Sequence, residues 1–275
     1  MSKKIFWLAS YPKSGNTWIR AFLTTYIFSQ NNNFNFDLLN KIPIFPNKSQ
    51  IQELVDLKEL KKNKLDISKY WIPAQQKLNL NKSLKFLKTH TACVAHEGRW
   101  FTDETNTKGY IYTVRDPRAV ACSKAHHSNL SMEESVNALI NRDEIGYNGP
   151  NKLAEISSSW KINYLSWKKK KNFEGIIIKY EDLVDNTEKE FKKILLFLKK
   201  INNIEIDEKK FLKSINSCQF LKLSKLEDLH GFVESTGGKF FRKGTKDSWK
   251  NDLSKDLRKK IEENFKDEMI ELGYL

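Results

Sequence analysis

A short polar segment near the amino terminus has the composition of a phosphate-binding loop. The segment SYPKSGNTW (residues 10–18) follows an apolar run and precedes a stretch with helical spacing. A glycine-containing turn between a strand and a helix directs backbone N–H groups toward one point, and the helix dipole adds positive potential there. Lys13 supplies a mobile cation, and Ser14, Asn16 and Thr17 offer hydroxyl and amide donors. The segment therefore predicts a cradle for a phosphate or phosphosulfate group.

The order of residues in this loop differs from that of the nucleoside-triphosphatase loop. The triphosphatase pattern, G-x-x-x-x-G-K-[ST], has its lysine after the second glycine, beside a hydroxyl that binds magnesium. Here Lys13 comes two residues before Gly15, and no other glycine precedes it. A P-loop kinase that transfers phosphoryl from ATP is therefore the alternative enzyme. A polar turn that only caps a helix is the structural alternative.

Two later segments carry further groups that suit phosphate. Arg115 follows the predicted strand Tyr110 to Val114, where a guanidinium can hold phosphate through two hydrogen bonds. Ser123 lies two helical turns further on and can face the same way. Near the carboxyl terminus, FRKGTKDSWKN (241–251) places two cations beside a glycine. Taken alone, the Arg115 segment is also typical of a helix start, and the second segment of a basic loop before a helix.

Together, and in this order along the chain, the three segments resemble the cytosolic type of sulfotransferase that uses 3′-phosphoadenosine 5′-phosphosulfate (PAPS). In that family the loop lysine contacts the transferring sulfate and its bridging oxygen, and the tryptophan packs on adenine; these roles fall on Lys13 and Trp18. The resemblance implies that the residues between them bind the 5′-phosphate: Ser14, Gly15, Asn16 and Thr17. It implies that the 3′-phosphate is bound by Arg115, Ser123, Arg242, Lys243 and Gly244. Asp247 and Ser248 stand where the family pattern has glycine and aspartate.

One histidine matches the family's catalytic base. His90 ends the segment FLKTH (86–90), a predicted strand, and resembles the histidine of the family's K-T-H. The resemblance makes it the general base that takes the acceptor's proton, an action that contributes about 10²–10⁴ in rate. Lys13 and Lys88 are the cations expected to stabilise charge on the leaving phosphate and the sulfuryl oxygens. The other four histidines lack this context.

Other parts of the chain match the family less closely or not at all. Tyr180, in a Y-E-D segment, and Ser217, in N-S-C-Q, resemble residues that line the family's adenine pocket. The segments 29–80, 91–107 and 130–167 have no family counterpart, so we expect them to supply the acceptor pocket. The acceptor itself is left open: a small molecule, a glycan or a lipid would each fit. A homodimer is left open as well.

Alternating strands and helices must position these residues. Strands are predicted at Lys3 to Ala9, Leu84 to Thr89, Tyr110 to Val114 and Gly175 to Lys179. Helical spacing predicts helices at Asn16 to Phe28, Ala119 to His127, Leu153 to Trp167, Glu188 to Leu198, Phe211 to Leu226 and Leu253 to Leu272. Loops are predicted at 31–48 and 227–244. We predict one α/β domain over 1–275: a mostly parallel central sheet flanked by helices, P-loop NTPase-like, with its ligand at the carboxyl ends of the strands.

Composition narrows the remaining classes of protein. The 48 Lys and Arg against 34 Asp and Glu give a net charge of +14, but the lysines are spread along the chain without the patterned aromatic face of a nucleic-acid-binding module. A nucleic-acid-binding protein is thus a weaker alternative, and an inactive scaffold is disfavoured while Lys13 and His90 are both present. Three separated cysteines favour a reducing, cytoplasmic location, and neither a membrane span nor a metal site is expected.

Overall fold

Four parallel strands form the central sheet of the described chain. The computed structural model describes residues 5–62, 64–80, 83–147, 153–236, 238–242 and 244–275. The strands of the central sheet are β1 (Ile5–Ser10), β2 (Lys85–Thr89), β5 (Thr107–Val114) and β8 (Glu174–Lys179), and they lie side by side in the order β2-β1-β5-β8. This arrangement confirms the predicted α/β fold with a parallel sheet. Each of the four strands was predicted within three residues at either end, apart from the start of β1, where Lys3 and Lys4 lie outside the described residues.

Helices surround this sheet. They are α1 (Asn16–Phe28), α2 (Lys48–Ile51), α3 (Leu57–Lys62), α4 (Trp71–Leu80), α5 (Pro117–Ser128), α6 (Met132–Ile140), α7 (Trp160–Lys168), α8 (Tyr180–Asp185), α9 (Thr187–Asn202), α10 (Glu208–Ser217), α11 (Phe220–His230), α12 (Trp249–Asp252), α13 (Lys255–Asn264) and α14 (Lys266–Glu271). Short 3₁₀ helices lie at Phe36–Lys41 and Lys64–Tyr70. The first of these stands inside the predicted loop 31–48, where the Asn35 side chain caps it by accepting from Leu38 N–H.

The core has two halves, one on each face of the sheet. Successive side chains of a strand point to opposite faces. Accordingly Trp7 of the buried strand β1 joins the half that contains Trp160 and Trp167. Its neighbour Phe6 joins the half built around α1 and α9. Burial on both faces explains why β1 is a continuous apolar run rather than an alternating one.

Two short antiparallel hairpins stand apart from the central sheet. One pairs β3 (Ala95–His96) with β4 (Arg99–Trp100), and the other pairs β6 (Ile145–Tyr147) with β7 (Ala154–Ile156). The β6–β7 hairpin corrects one sequence prediction, because residues 153–159 are not helical as expected for Leu153 to Trp167.

The physical reason for that correction lies at the start of α7. Ser158 adopts a left-handed backbone conformation (φ +57°), which a helix cannot continue through. The next residue, Ser159, caps α7, since its hydroxyl accepts from Ile162 N–H at 3.2 Å. The apolar residues before this point therefore belong to strand β7 and not to a helix.

Two other predicted helices are interrupted. The Phe211 to Leu226 segment breaks after Ser217, between α10 and α11, and α11 continues into the predicted 227–244 loop as far as His230. The Leu253 to Leu272 segment contains α13 and α14, which meet at Phe265. The spacing of apolar residues continues across each of these short breaks. Periodicity in the sequence therefore does not reveal that one helix ends there and another begins.

Candidate active site

The predicted phosphate-binding loop connects the end of β1 to the start of α1, at the carboxyl edge of the sheet. Gly15 has φ +96°, and a Cβ atom there would lie 2.5 Å from Cδ2 of Tyr180. Glycine is therefore required both by the backbone conformation and by the closeness of the aromatic ring. Within the described residues no side chain caps α1, although the Trp18 N–H donates to Gly15 O at 3.0 Å. The start of the helix, where the dipole is positive, therefore suits an anionic ligand.

Buried polar atoms of this loop have different roles. The Asn16 amide nitrogen donates to Leu8 O at 2.9 Å and to Ser10 Oγ at 3.3 Å, which ties the loop to β1. The Ser14 hydroxyl is buried and has no hydrogen-bond partner among the described residues, and the same holds for Asn16 Oδ1. Because an unsatisfied buried polar group costs about 1–3 kcal/mol, these atoms fit a site that a polar ligand completes.

Lys13 is a half-buried cation at the centre of the loop. Its ammonium lies 3.7 Å from the centre of the Phe240 ring, and its backbone is left-handed at φ +66°. Burial, assisted by the nearby charges of Lys88 and Arg115, lowers the pKa of Lys13 to about 7. An anion bound here would reverse that shift and hold the lysine in its charged form.

Trp18 and Tyr180 form one wall beside the loop. The Trp18 indole N–H donates to Cys218 O at 2.8 Å, and its ring meets the Tyr180 ring edge-on at 6.2 Å. Arg115 then stacks its guanidinium on Tyr180, 4.3 Å from the ring centre. These contacts arise because α1, β5 and β8 all end or begin at the same edge of the parallel sheet.

Arg115 joins two loops while keeping one donor for a ligand. Its two terminal nitrogens donate to Lys13 O and Thr245 O, each at 3.2 Å. Its Nε is buried without a partner among the described residues. Ser123 lines the same cavity from α5.

His90 has a defined orientation and a defined tautomer. Its Nδ1 lies 2.9 Å from the carbonyl oxygen of Ser10 and 3.2 Å from the hydroxyl of that residue. A carbonyl only accepts, so Nδ1 carries the proton in the neutral ring and Nε2 carries the lone pair. The backbone N–H of His90 donates to the Glu155 carboxylate at 2.8 Å, and its carbonyl accepts from Asn163 Nδ2 at 2.9 Å.

Lys88 is held by a carboxylate that sequence reasoning did not single out. Its ammonium contacts Glu234 at 3.0 Å, and the same carboxylate receives the Arg20 guanidinium at 2.7 Å. Lys88 and Arg20 are both almost fully buried. Glu234 belongs to the irregular segment 231–236, so no local pattern in the sequence connects it to Lys88.

A cavity of about 280 Å³ brings most of the predicted site residues together. Ten of them line it: Lys13, Gly15, Asn16, Thr17, Trp18, Lys88, His90, Arg115, Ser123 and Tyr180. Ser14 is buried and is not among the lining residues. The residues had been chosen from segments far apart in the chain, and the parallel topology collects them because the strands that precede them all end at one edge.

Three further predicted residues of the described part of the chain are not among those that line the cavity. The Ser217 hydroxyl accepts from Phe34 N–H at 2.6 Å, and the Arg242 side chain is exposed. Gly244 packs on Phe220, whose ring atoms would lie 2.6 Å from an added Cβ. Lys243 lies outside the described residues.

Sequence reasoning expected an acceptor pocket from the segment 130–167 but named none of the residues there that line the cavity. The lining includes the β6–β7 hairpin, with Glu144 just before β6, and the second half of α5, with Lys124. The hairpin was not predicted because residues from 153 onward were expected to be helical. The serine run 157–159 was the signal that could have marked the break.

No group of three or more His, Cys, Asp or Glu side chains in the described part of the chain could hold a metal ion. Among the same residues, no helix has the length and apolar character needed to cross a membrane. All three cysteines are buried as thiols.

Comparison with known proteins identifies the family. An amine sulfotransferase of Oryctolagus cuniculus is 24% identical over 270 residues, covering 94% of this chain and 79% of that protein. Sulfotransferase 1B1 of Canis lupus familiaris is 25% identical over 271 residues, covering 95% and 82%. The fold matches mouse sulfotransferase SULT7A1 complexed with PAP, adenosine 3′,5′-bisphosphate (TM-score 0.62, 22% identity, covering 97% of this chain and 84% of that one). It also matches retinol dehydratase in complex with androsterone and the inactive cofactor PAP (TM-score 0.63, 18% identity, 98% and 82%). Since the family model for the sulfotransferase domain matches residues 3–273, the chain belongs to the sulfotransferase family, as its sequence motifs predicted.

Proposed function

We propose that this protein transfers a sulfuryl group from PAPS to a hydroxyl or amine of an acceptor, with His90 as the general base. The observation that carries the proposal is the convergence of His90, Lys88, Lys13 and Arg115 on one cavity at the carboxyl edge of the sheet. Membership of the sulfotransferase family supports the reaction class. One relative is named an amine sulfotransferase, and a solved structure with a similar fold is complexed with PAP. These names support PAPS as the donor and an amine or hydroxyl as the acceptor group.

The donor's anionic groups suit the groups that surround the loop. The 5′-phosphosulfate would bind at residues 13–17, where the open start of α1 and the unpartnered Ser14 hydroxyl provide donors. The 3′-phosphate would bind Arg115 through its unpartnered Nε and Ser123 through its hydroxyl. We keep Arg242, Lys243 and Gly244 as further 3′-phosphate contacts, and Tyr180, Trp18 and Ser217 as the adenine side.

The transfer itself is an in-line displacement at sulfur. The acceptor oxygen or nitrogen forms a bond to sulfur while the bond from sulfur to the bridging phosphate oxygen breaks. The electron pair of the broken bond leaves with the 5′-phosphate of adenosine 3′,5′-bisphosphate (PAP), and the acceptor's proton passes to Nε2 of His90. Hydrogen bonding of Nδ1 to Ser10 O supports this direction of proton transfer. Lys13 and Lys88 would stabilise the developing negative charge.

We further propose that residues 1–275 act as one sulfotransferase domain. Of the segments expected to form the acceptor pocket, 130–167 contributes residues to the cavity lining. The lining includes no described residue from 29–80 or 91–107. The acceptor pocket is therefore assigned mainly to the β6–β7 hairpin and the turn that precedes α7.

Binding and transfer measurements together test the proposed function. PAP should bind in the presence of a magnesium chelator, and loss of the 3′-phosphate from the ligand should weaken binding. Radiolabelled PAPS should then transfer its sulfate to a compound in a panel of acceptors or in a cell extract. ATP binding that requires magnesium, together with indifference to the 3′-phosphate, would instead support the P-loop kinase.

A further inference from the structure

Arg115, which we assign to the 3′-phosphate of the donor, lies in a turn of two residues between β5 and α5. Asp116, the second residue of that turn, caps α5, since its carboxylate accepts from the Arg118 N–H at 2.9 Å. A guanidinium binds phosphate through directed hydrogen bonds, so it must approach the ligand at a fixed angle. The contacts that fix this turn therefore bear on recognition of the nucleotide.

The peptide group between Arg115 and Asp116 is held at both of its polar atoms. Its carbonyl oxygen, which belongs to Arg115, accepts from the Trp160 indole N–H at 3.2 Å. Its N–H, which belongs to Asp116, donates to Oε1 of Glu181 at 3.0 Å. Because a peptide group is planar, hydrogen bonds on its two opposite sides set its orientation. The direction in which the Arg115 side chain leaves the backbone depends on that orientation.

Tyr180 and Glu181, the first two residues of α8, hold different parts of the same arginine. The Tyr180 ring lies against the Arg115 guanidinium, with its centre 4.3 Å from Cζ. The Glu181 carboxylate holds the peptide group that follows Arg115. One helix start therefore fixes both the charged end and the backbone of Arg115.

Further contacts hold Glu181 itself. The Tyr274 hydroxyl donates to Oε2 of Glu181 at 2.7 Å. The Tyr274 carbonyl accepts from the Arg118 guanidinium at 2.8 Å, and that guanidinium also binds the Asp116 carboxylate at 2.7 Å. These contacts form a closed ring from Asp116 through Glu181, Tyr274 and Arg118 back to Asp116. Since Asp116 and Arg118 are both buried, the ion pair in this ring is screened little by solvent.

Glu181 is not among the described residues that line the donor cavity, although Arg115 and Tyr180 are. An effect of Glu181 on nucleotide binding would therefore pass through Arg115. Its charge alone would act in the opposite direction, because a carboxylate near Arg115 disfavours an anionic ligand. Removal of the charge predicts tighter binding, whereas removal of the hydrogen-bond acceptor predicts weaker binding.

We propose that Glu181, held by Tyr274, is a positioning residue for Arg115 and thereby for recognition of the 3′-phosphate. The inference rests on the proposed binding of PAPS, and it adds two residues from outside the described lining of the donor cavity. Loss of the acceptor at position 181 frees the peptide group after Arg115. The guanidinium then loses its fixed approach to the 3′-phosphate, while the loop that binds the 5′-phosphate is unaffected.

Calorimetric titrations with PAP and with adenosine 5′-phosphate (AMP) measure the contribution of the 3′-phosphate as the ratio of the two affinities. Glu181→Ala removes the acceptor and should lower this ratio at least about tenfold, with AMP affinity unchanged within about threefold. Glu181→Gln keeps an oxygen for the Asp116 N–H, so its ratio should stay at or above about one third of the wild-type value. Glu188→Ala, exposed on α9, is the matched control and should change neither affinity.

Two further variants show whether the effect passes through Arg115 and Tyr274. Arg115→Ala alone should lower the ratio, and adding Glu181→Ala to it should lower the ratio by less than about twofold more. Tyr274→Phe removes only the hydroxyl that holds Glu181, and it should lower the ratio about twofold to fivefold with AMP affinity unchanged. If Glu181→Ala does not fold, Tyr274→Phe takes its place as the deciding variant.

The outcomes separate the proposed function from the positioning role. Absence of PAP binding in the wild type, or an unchanged ratio in Arg115→Ala, would contradict the 3′-phosphate assignment in the proposed function. A ratio that falls in Arg115→Ala but not in the deciding variant would overturn only the positioning role. An equal loss of PAP and AMP affinity in that variant would overturn it as well, because the damage would then not be specific to the 3′-phosphate.

Discussion

At the scale of single residues, the site depends on how a few buried side chains hold their protons. His90 has its tautomer set by a backbone carbonyl, and Lys13 sits where burial and two other cations make its charge costly. Neither property can be assigned from residue type alone. Both arise from atoms brought close by β1, β2 and β5.

Replacement of His90 by alanine tests the base. We expect the turnover number to fall about 10²–10⁴-fold, because the acceptor would lose its proton without help in the transition state. PAP affinity should stay within about threefold of the wild type, since no donor contact is assigned to this side chain. Sulfate-transfer kinetics and calorimetric titration of PAP measure the two quantities. His230→Ala, an exposed histidine at the end of α11, should retain full activity. Turnover of His90→Ala close to the wild-type value would refute the assignment.

Protonation of Lys13 should be coupled to nucleotide binding. The pKa of about 7 means that the lysine is about half charged near neutral pH. An anionic nucleotide favours the charged form and so raises this pKa, and binding must then take up a proton above pH 7. The affinity for PAP should consequently fall as pH rises above 7, by up to about tenfold per pH unit, and this dependence should vanish below that pH.

Calorimetry in two buffers measures that proton. At pH about 8, titrations of PAP in buffers with different ionisation enthalpies should show uptake of a fraction of one proton. The matched variant is Lys13→Arg, which stays charged at every accessible pH and should bind PAP without that uptake. Equal proton uptake in the wild type and in Lys13→Arg would show that another group is responsible.

At the scale of elements, the phosphate-binding loop depends on close packing between α1 and α8. Gly15→Ala adds both a strained φ and a contact at 2.5 Å with the Tyr180 ring. We expect a loss of about 1–3 kcal/mol in the free energy of unfolding and at least about tenfold weaker PAP binding. Chemical denaturation and calorimetry measure these effects.

A second glycine separates strain from crowding. Gly98 also has a positive φ, +76°, but an added Cβ there meets no atom within 4 Å. Gly98→Ala should therefore show the backbone cost alone, with PAP affinity unchanged. If Gly15→Ala were no more damaging than Gly98→Ala in both measurements, the contact with Tyr180 would not constrain the loop.

Residues 231–236 and 238–242 lie against cations of the site. Glu234 contacts Lys88 and Arg20, and Phe240 covers the Lys13 ammonium. Glu227 of α11 holds the second of these segments, since its carboxylate accepts from the backbone N–H groups of Phe240 and Phe241 at 2.6 and 2.8 Å. A carboxylate thus lies against Lys88, one of the cations assigned to the sulfuryl oxygens.

Removal of the Glu234 charge should have opposite effects on stability and binding. Glu234→Gln leaves two buried cations without their counter-charge, so the free energy of unfolding should fall by about 1–3 kcal/mol. The cavity would become more positive, and PAPS and PAP should bind about threefold to tenfold more tightly. Denaturation and calorimetric titration test both effects. Glu263→Gln, exposed on α13, should change neither. Weaker nucleotide binding in Glu234→Gln would contradict this prediction.

At the scale of the whole molecule, the net charge of +14 does not indicate the charge of the cavity. The surplus lysines lie along the entire chain, whereas the described lining of the cavity has four lysine or arginine side chains and three carboxylates. Net charge alone would have favoured a nucleic-acid partner as readily as a nucleotide. Placement of charge in the cavity is the more informative quantity.

The amino-acid sequence by itself determined the nucleotide side of this protein. The buried strand Ile5–Ser10, the helix Asn16–Phe28 and the loop between them form from neighbouring residues, and local patterns of apolar spacing and glycine suffice to predict them. Arg115 and His90 were also predictable, because each follows a strand and strands of a parallel sheet end at one edge. The family followed from the same local motifs.

Only the tertiary structure decided which other side chains line the cavity and which contacts set its charge. Glu155 lies in a hairpin that apolar spacing had indicated as helix, and Glu234 contacts Lys88 across 146 residues of chain. Such contacts depend on how distant segments pack, and packing energy is shared among many side chains that carry no local signature. Sequence therefore predicted most of the residues that we assign to the donor, whereas the fold determined which distant side chains surround them.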